Sequence, residues 1–506
     1  MKKKIAAGIL VLVLVFLYYY VTLPAINIHE GGFWFFLGAL LAVLLVIYGF
    51  RKRITSIHEI RSSKVLKIGV GAILAIAVIY GIGALLSSPI INAKKYQQLV
   101  VPEERNFAQD IKEISYDQIP LLDKDSAELL GNRKMGSMVD MVSQFEADDI
   151  YSQINYQDNP VRVTPLKYAS LIKWLTNQSE GIPAYIRINM ATQSTELVTL
   201  EEGMKYTTSE HLNRNIYRHL RFAHPTYMYG ELSFEIDEEG IPYWIAPVKK
   251  FNIGLFGGET VGKVVICNAI DGSMKTYDIE DVPQWVDRAY SADLLVELFD
   301  YYGTLKHGFF NSILSQKDCL KTTEGYNYLA IDDDVWMYTG VTSVNGDQSN
   351  VGFVLANQRT METRYYEVEG ATETSAMSSA EGQVQNLKYK ATFPLLLNIS
   401  GEPTYFIALK DDAGLVKKYA MVNVQKYQIV AIGDSVSQCE ENYLDLLASN
   451  GIGKGEDSSE KDVLTITGRI TKIAQAVVQL PLLPDGGRLP GDLRRLCGGV
   501  SGYYPV

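Results

Sequence analysis

Gly240-Ile241-Pro242-Tyr243-Trp244-Ile245-Ala246-Pro247-Val248, followed by Val264-Val265-Ile266-Cys267-Asn268, sets out a grammar that the chain then repeats. A polar turn, Asp237–Gly240, opens into an aromatic strand, and an apolar strand closing on asparagine answers it. The pattern returns at Asp332–Asp334 with Trp336, Met337 and Tyr338, answered by Phe353–Asn357. It returns again at Ser400–Glu402 with Tyr405, Phe406 and Ile407, answered by Tyr419–Asn423. The closing asparagines fall 24, 21 and 18 residues after Trp244, Trp336 and Tyr405, and Ala184–Asn189 after Gly181-Ile182-Pro183 is a weaker fourth copy. Such recurrence predicts tandem hairpin-containing units, each burying a mostly apolar strand pair against a helix or a neighbour. Tyr243, Trp244, Trp336, Tyr338, Tyr405 and Phe406 are the candidate binding aromatics, because amphipathic rings can line a peptide or glycan groove.

Upstream of these strands the spacing predicts a helix at Pro165–Asn177, capped by Thr164, and another at about Ser209–Phe222, capped by Thr208 or Ser209 and ended by Pro225. On the second helix Arg214, Arg218 and Arg221 share a face that could bind a carboxylate or an anionic polymer.

Three uncharged apolar runs precede all of this: Ile5 to about Thr22, Gly32–Phe50 and Ile68–Leu86. Each is long enough to span a hydrocarbon core of roughly 30 Å as a helix. The first lacks a small-x-small cleavage pattern and reads as a retained anchor. Three lysines precede it, no Lys or Arg separates the first two runs, and six lie in Arg51–Lys67. The positive-inside rule therefore places the N-terminus and that loop in the cytoplasm, and the rest of the chain on the outer face of the cell membrane. Met1–Lys94 holds 10 of the 47 Lys and Arg but only 2 of the 58 Asp and Glu, so the remainder carries a charge of −19. That charge argues against nucleic acid as a partner.

The run Cys267–Tyr277 (CNAIDGSMKTY) resembles the PepSY-type strand–turn–strand, with Asn268 where the family has Asp and Asp271-Gly272 as the turn; Gly240–Val248 is similar to the family's aromatic strand. The resemblance covers roughly Thr208–Asp287, and the other copies lack the turn glycine. It implies a small α/β unit of a bacterial cell envelope that binds or restrains a peptidase, and it implies no catalytic residue. The resulting expectation is an α+β chain: a transmembrane region at 1–87, a linker at 88–110, an N-terminal unit at 111–207, a PepSY-like unit at 208–325 and further units at 326–449. A linker at 450–462 leads to a small β-domain at 463–506, in which Val463–Val478 reads as strand. For its last 27 residues, Leu480–Val506, codons exist that would read one base over as two alternating strands and a helix start, so a frameshift product is the expectation there.

Candidate chemistry is sparse. Ile429–Ser437 (IVAIGDSVS) resembles the first block of GDSL esterases, which makes Ser435 the nucleophile of a rival surface-hydrolase reading, yet no histidine follows His307. Gly257–Lys263 fits GxxxxGK but has Val264 where a phosphate loop needs Ser or Thr. His211, His219 and His224 lack zinc-pair spacing, Asp332–Asp334 lack a calcium-loop pattern, and Cys267, Cys319, Cys439 and Cys497 form no CxxC. The first three cysteines read as buried thiols. The expected function is thus non-enzymatic, without cofactor or metal: an envelope protein that binds a protein or peptide partner while anchored in the lipid bilayer. A structural subunit of a membrane complex, associating through weak small-residue contacts between helices, is the third reading.

Overall fold

The computed structural model describes residues 2–54, 59, 62–112, 119–343 and 349–452. The readings of Val463–Val478, Leu480–Val506 and Cys497, and most of the 450–462 linker, lie outside them. The fold is α+β with apolar helices at its N-terminus: α1 (Lys2–Thr22), α2 (Gly31–Lys52) and α3 (Lys64–Ser87). Helices α2 and α3 are long and apolar enough to cross a membrane, and α1 carries a shorter apolar stretch, Gly8–Thr22.

One end of this helical group is docked on the folded body. Ile26 N donates to Pro225 O (2.8 Å) and Asn27 Nδ2 to Thr226 O (3.0 Å). At the end of α3, Ser87 Oγ accepts from Leu255 N (2.8 Å) and Phe256 N (3.1 Å). The approach is close enough that a Cβ on Gly83 would lie 2.8 Å from Leu255 Cδ1. The segment expected as a linker is structured: α4 (Pro89–Gln97) follows α3 directly, and β1 (Glu103–Arg105) adds a parallel edge to the sheet that contains Thr363–Tyr366.

Beyond β1 the chain repeats one topology four times, a helix and then a four-stranded antiparallel meander. The first module is α5 (Lys124–Gly136) with β2 (Ser152–Tyr156), β3 (Asn159–Tyr168), β4 (Ile182–Asn189) and β5 (Thr195–Met204). It carries an extra helix, α6 (Leu171–Asn177), between β3 and β4. The second is α7 (Ile216–Ala223) with β6 (Ser233–Ile236), β7 (Pro242–Ile253), β8 (Gly257–Asn268) and β9 (Met274–Asp278). The third is α8 (Ala292–Thr304), then the short α9 (Phe309–Ile313), β10 (Asn327–Ile331), β11 (Asp334–Ser343), β12 (Gly352–Asn357) and β13 (Thr363–Tyr366). The fourth is α10 (Glu373–Gln383) with β14 (Leu395–Ile399), β15 (Glu402–Lys410), β16 (Val416–Asn423) and β17 (Val430–Gly433), closed by α11 (Val436–Ser449).

The closing asparagines have one physical job. Each ends the third strand of its module and folds its side chain over the turn that follows. Asn189 Oδ1 accepts from Ala191 N and Thr192 N (3.0 and 2.8 Å), Asn268 Oδ1 from Ile270 N and Asp271 N (2.8 and 3.2 Å), and Asn357 Oδ1 from Arg359 N and Thr360 N (2.8 and 2.9 Å). Asn423 Oδ1 accepts from Lys426 N (2.8 Å) across a turn one residue longer. In every module the amide after the asparagine donates to a carbonyl in the first two residues of the second strand: Pro160, Pro242, Val335 and Pro403. Alanine removes those acceptors, so we expect Asn268→Ala to cost about 1 kcal/mol. Asn357→Ala should cost about 2–3 kcal/mol, because Asn357 Nδ2 also donates to buried Asp334 (2.8 Å). Urea midpoints of the full chain in detergent would check both.

Three first hairpins turn on two residues of positive φ: Gln157-Asp158 (51° and 60°), Asp332-Asp333 (50° and 70°) and Ser400-Gly401 (53° and 80°). Both central residues in the left-handed region make the tight turn that matches strand twist, and Asp and Gly tolerate it best. The register also corrects the alignment of the aromatic strands. Trp336 lies opposite Asn357 as Tyr243 lies opposite Asn268, whereas Trp244 and Tyr405 stand one residue further along. A shift of one residue in a strand changes the face.

Modules pack in pairs. The first two share a core in which Tyr185, Phe234 and Trp244 meet at ring separations of 6.0 and 5.4 Å. The last two share another, where Phe353 meets Tyr405 at 5.9 Å. A third cluster, including Ile245, Ile266, Leu295 and Met337, joins the pairs. The helix expected at Pro165–Asn177 forms only over Leu171–Asn177, capped by Ser170 rather than Thr164, while Pro165–Tyr168 end β3, whose core residues include Val161, Val163 and Leu166. The alternation Val-Arg-Val-Thr won over a proline at a helix-start position. The second expected helix is shorter than predicted, a 3-10 turn at Leu212–Arg214 and then α7.

Candidate functional site: an acidic cleft between two hairpin turns

The β2–β3 turn of the first module and the β10–β11 turn of the third converge on the segment that follows β1. Between them lies a cleft of about 280 Å³, lined by Asp110, Lys112, Asn155, Asp158, Asp332 and Asp333 together with apolar neighbours. The turns face each other through Asn155, whose Nδ2 donates to Asp333 Oδ1 (2.8 Å). Burial raises the Asp333 carboxyl above its ordinary range, and the charges of Asp158 and Asp334 push the same way. Asp110 is held low instead: burial opposes its charge, but the Tyr366 hydroxyl and the guanidiniums of Arg105 and Arg364 outweigh it. Asn155 Oδ1 is buried and has no hydrogen-bond partner. The cleft thus offers carboxylates, an acceptor set that suits an ammonium or guanidinium group.

Behind this wall stand two fully buried carboxyls. Glu235 Oε1 accepts from Ser233 Oγ (2.7 Å) and Arg288 N (3.2 Å), and Oε2 accepts from Asp287 N (2.9 Å). Asp287 Oδ2 accepts from Asn155 N (2.7 Å), while Oδ1 has no partner. Burial raises both groups, and the charge of Glu235 pushes Asp287 further. With three donors against one, Glu235 carries the negative charge and Asp287 keeps the proton. Close by, Arg359 grips Asp334 with two bonds of 2.7 and 2.8 Å. These contacts lock three modules around the cleft.

The residues singled out from sequence lie elsewhere. Trp244, Trp336, Tyr338, Tyr405 and Phe406 are buried in module cores, and Tyr243 is half-buried against Trp285 (5.1 Å). They form no open aromatic groove, because the sheets pack face to face and close over them. The arginines are also occupied. Arg214 donates to Gln178 O (2.6 Å), Arg218 lies 4.7 Å over the Tyr20 ring, and Arg221 donates to Leu23 O (3.0 Å) just past α1. A guanidinium on the free carbonyls of a helix end is favourable, so Arg218 and Arg221 dock the end of α1 instead of displaying charge.

Ser435 caps α11, its Oγ accepting from Gln438 N (3.2 Å), and no histidine among the described residues hydrogen-bonds to it. The GxxxxGK match runs along β8 of an antiparallel hairpin, without the helix N-terminus a phosphate loop requires. His219 Nε2 contacts Gly272 O (2.7 Å), His211 packs on Trp174 and His224 on Tyr227. Asp332 and Asp333 form a turn while Asp334 binds Arg359, and the described residues contain no cluster arranged to hold a metal ion. Cys267, Cys319 and Cys439 are buried free thiols; burial pushes Cys267 and Cys439 up to about 12. No protein-family model, curated protein or solved structure matches the chain.

Proposed function

We propose that the chain is a non-enzymatic binding protein of a bacterial cell envelope, anchored by α1–α3 with its PepSY-like modules on the outer face, and that it engages a protein or peptide through a Lys or Arg side chain. The observation that carries the reading is the acidic cleft: a concave set of aspartates held by buried contacts. The orientation is supported by the docking of the ends of α1 and α3 on the body, with the basic stretch Arg51–Lys67 between the other ends of α2 and α3.

A photo-crosslinking amino acid in place of Asp158, in the full chain in its native membrane, tests the proposal. We expect a discrete protein adduct that is lost in an Asp332→Lys background and weakens several-fold as salt is raised, since cleft charges steer association. An adduct indifferent to both changes, or none, would overturn the assignment of the cleft. Labelling by a serine-reactive phosphonate that disappears in Ser435→Ala would favour the hydrolase.

A further inference from the structure

The third apolar helix does not end in a free linker. One residue after Ser87 the chain enters α4, whose Ile90 and Ile91 are 48% and 54% exposed. Through Ala93 and Tyr96, with Leu99 just beyond its end, α4 packs against Leu305 and Phe309, so α9 of the third module sits beside the end of α3. Tyr96 Oη donates to Ser87 O (2.7 Å), which ties this cluster to the last turn of that helix. On the open side of the cluster, Phe310, Ile313 and Leu314 are 68%, 57% and 78% exposed. Scattered exposed apolar residues are ordinary; three large ones within five residues, beside two more at a helix end, mark an interaction surface. Lys94, Lys95, Lys306 and Lys317 stand exposed in the same segments.

We propose that α9 and the start of α4 form an interfacial foot. Phe310, Ile313 and Leu314, with Ile90 and Ile91, enter the boundary between headgroups and acyl chains of the bilayer that α3 crosses, while the lysines meet lipid phosphates. The occupant is the membrane rather than a protein because the patch is continuous with the end of a helix long and apolar enough to cross it, and because lysines flank it as they flank interfacial segments. The foot holds the third module against the surface and so limits how the cleft can tilt. This inference rests on the reading of the N-terminal helices as membrane spans.

A nitroxide on a ketone-bearing unnatural amino acid, which leaves the native cysteines intact, tests it in the full chain reconstituted in nanodiscs of phosphatidylcholine and phosphatidylglycerol. It is placed in turn at Leu314, at Val46 on α2 and at Asp412 in the exposed β15–β16 turn. Collisions with oxygen, which concentrates in lipid, are compared with collisions with a water-soluble nickel chelate. We expect an oxygen-to-nickel ratio at 314 severalfold above that at 412 and approaching that at 46. A ratio at 314 equal to that at 412, with 46 lipid-like, overturns the foot and leaves the spans standing. A label at 314 shielded from both reagents also overturns it, since a protein then covers the helix. A water-like ratio at 46 removes the spans themselves.

Discussion

Trp244→Ala is expected to lower the stability of the first two modules by about 3–5 kcal/mol, the range for deleting a fully buried large aromatic from a packed core. The indole is completely buried between Phe234 and the first module's sheet, and its Nε1 donates to Tyr206 O (2.8 Å), so truncation leaves a cavity and an unpaired carbonyl together. Tyr243→Ala, one residue away on the other face and half-buried, should cost only about 1 kcal/mol. Because four modules need not unfold as one, hydrogen exchange is the better measurement. Amides of β2–β4 and β6–β8 should lose protection in Trp244→Ala, while those of β15 and β16, which belong to the other core, keep theirs. If Trp244→Ala leaves every amide protected yet abolishes partner capture, the ring is a binding residue and the packing account fails.

The same residue shows how much of the molecule was legible in its sequence. The repeat could be read because its signals are local: a polar turn, an aromatic strand and an asparagine whose side chain serves amides two and three residues on. The buried cysteines and the two long apolar helices were legible for the same reason, each being a matter of composition within one element. What the aromatic strands do was not. Whether Trp244 faces a groove or a core depends on a sheet that begins near residue 152, and nothing near Trp244 encodes that packing. The start of the helix expected at Pro165 was misplaced in a related way, since Pro165–Tyr168 continue β3, which distant segments bury on both faces, and only Leu171–Asn177 is helical. The cleft is the extreme case. Asn155 and Asp333 are 178 residues apart, and each alone reads as a residue in or beside a polar turn. Even the arginine stripe misled, because Arg218 and Arg221 meet the end of α1 and Arg214 bonds to Gln178 O.

The buried carboxyl pair gives the second large effect, and it depends on pH. Folding raises the Asp287 pKa well above its ordinary value, so the native state binds this proton more tightly than the unfolded chain does. Between those two pKa values the folded state holds more protons, and stability falls as pH rises. The contribution is complete below the unfolded value near 3.9 and is lost as pH climbs through the folded one. Asp287→Asn mimics the protonated form: its carbonyl can still accept from Asn155 N, and its amide replaces the oxygen that has no partner. We therefore expect Asp287→Asn to match the parent near pH 4 and to exceed it at pH 7 by about 1–4 kcal/mol, because the parent's unfolded chain gains by ionising Asp287, at about 1.4 kcal/mol per pKa unit, and the amide has no such ionisation. Carboxylates held low by their partners, such as Asp110 and Asp123, lose stabilisation in acid in both proteins and cancel in the difference. Glu235→Gln should behave in the opposite way. Both Glu235 oxygens receive backbone N–H groups, so an amide must point two donors at another donor, and the variant should be less stable at pH 4 and pH 7 alike. Urea denaturation of the three proteins across that range separates the cases: a parent curve parallel to that of Asp287→Asn would place the proton elsewhere, and a stabilised Glu235→Gln would place it on Glu235.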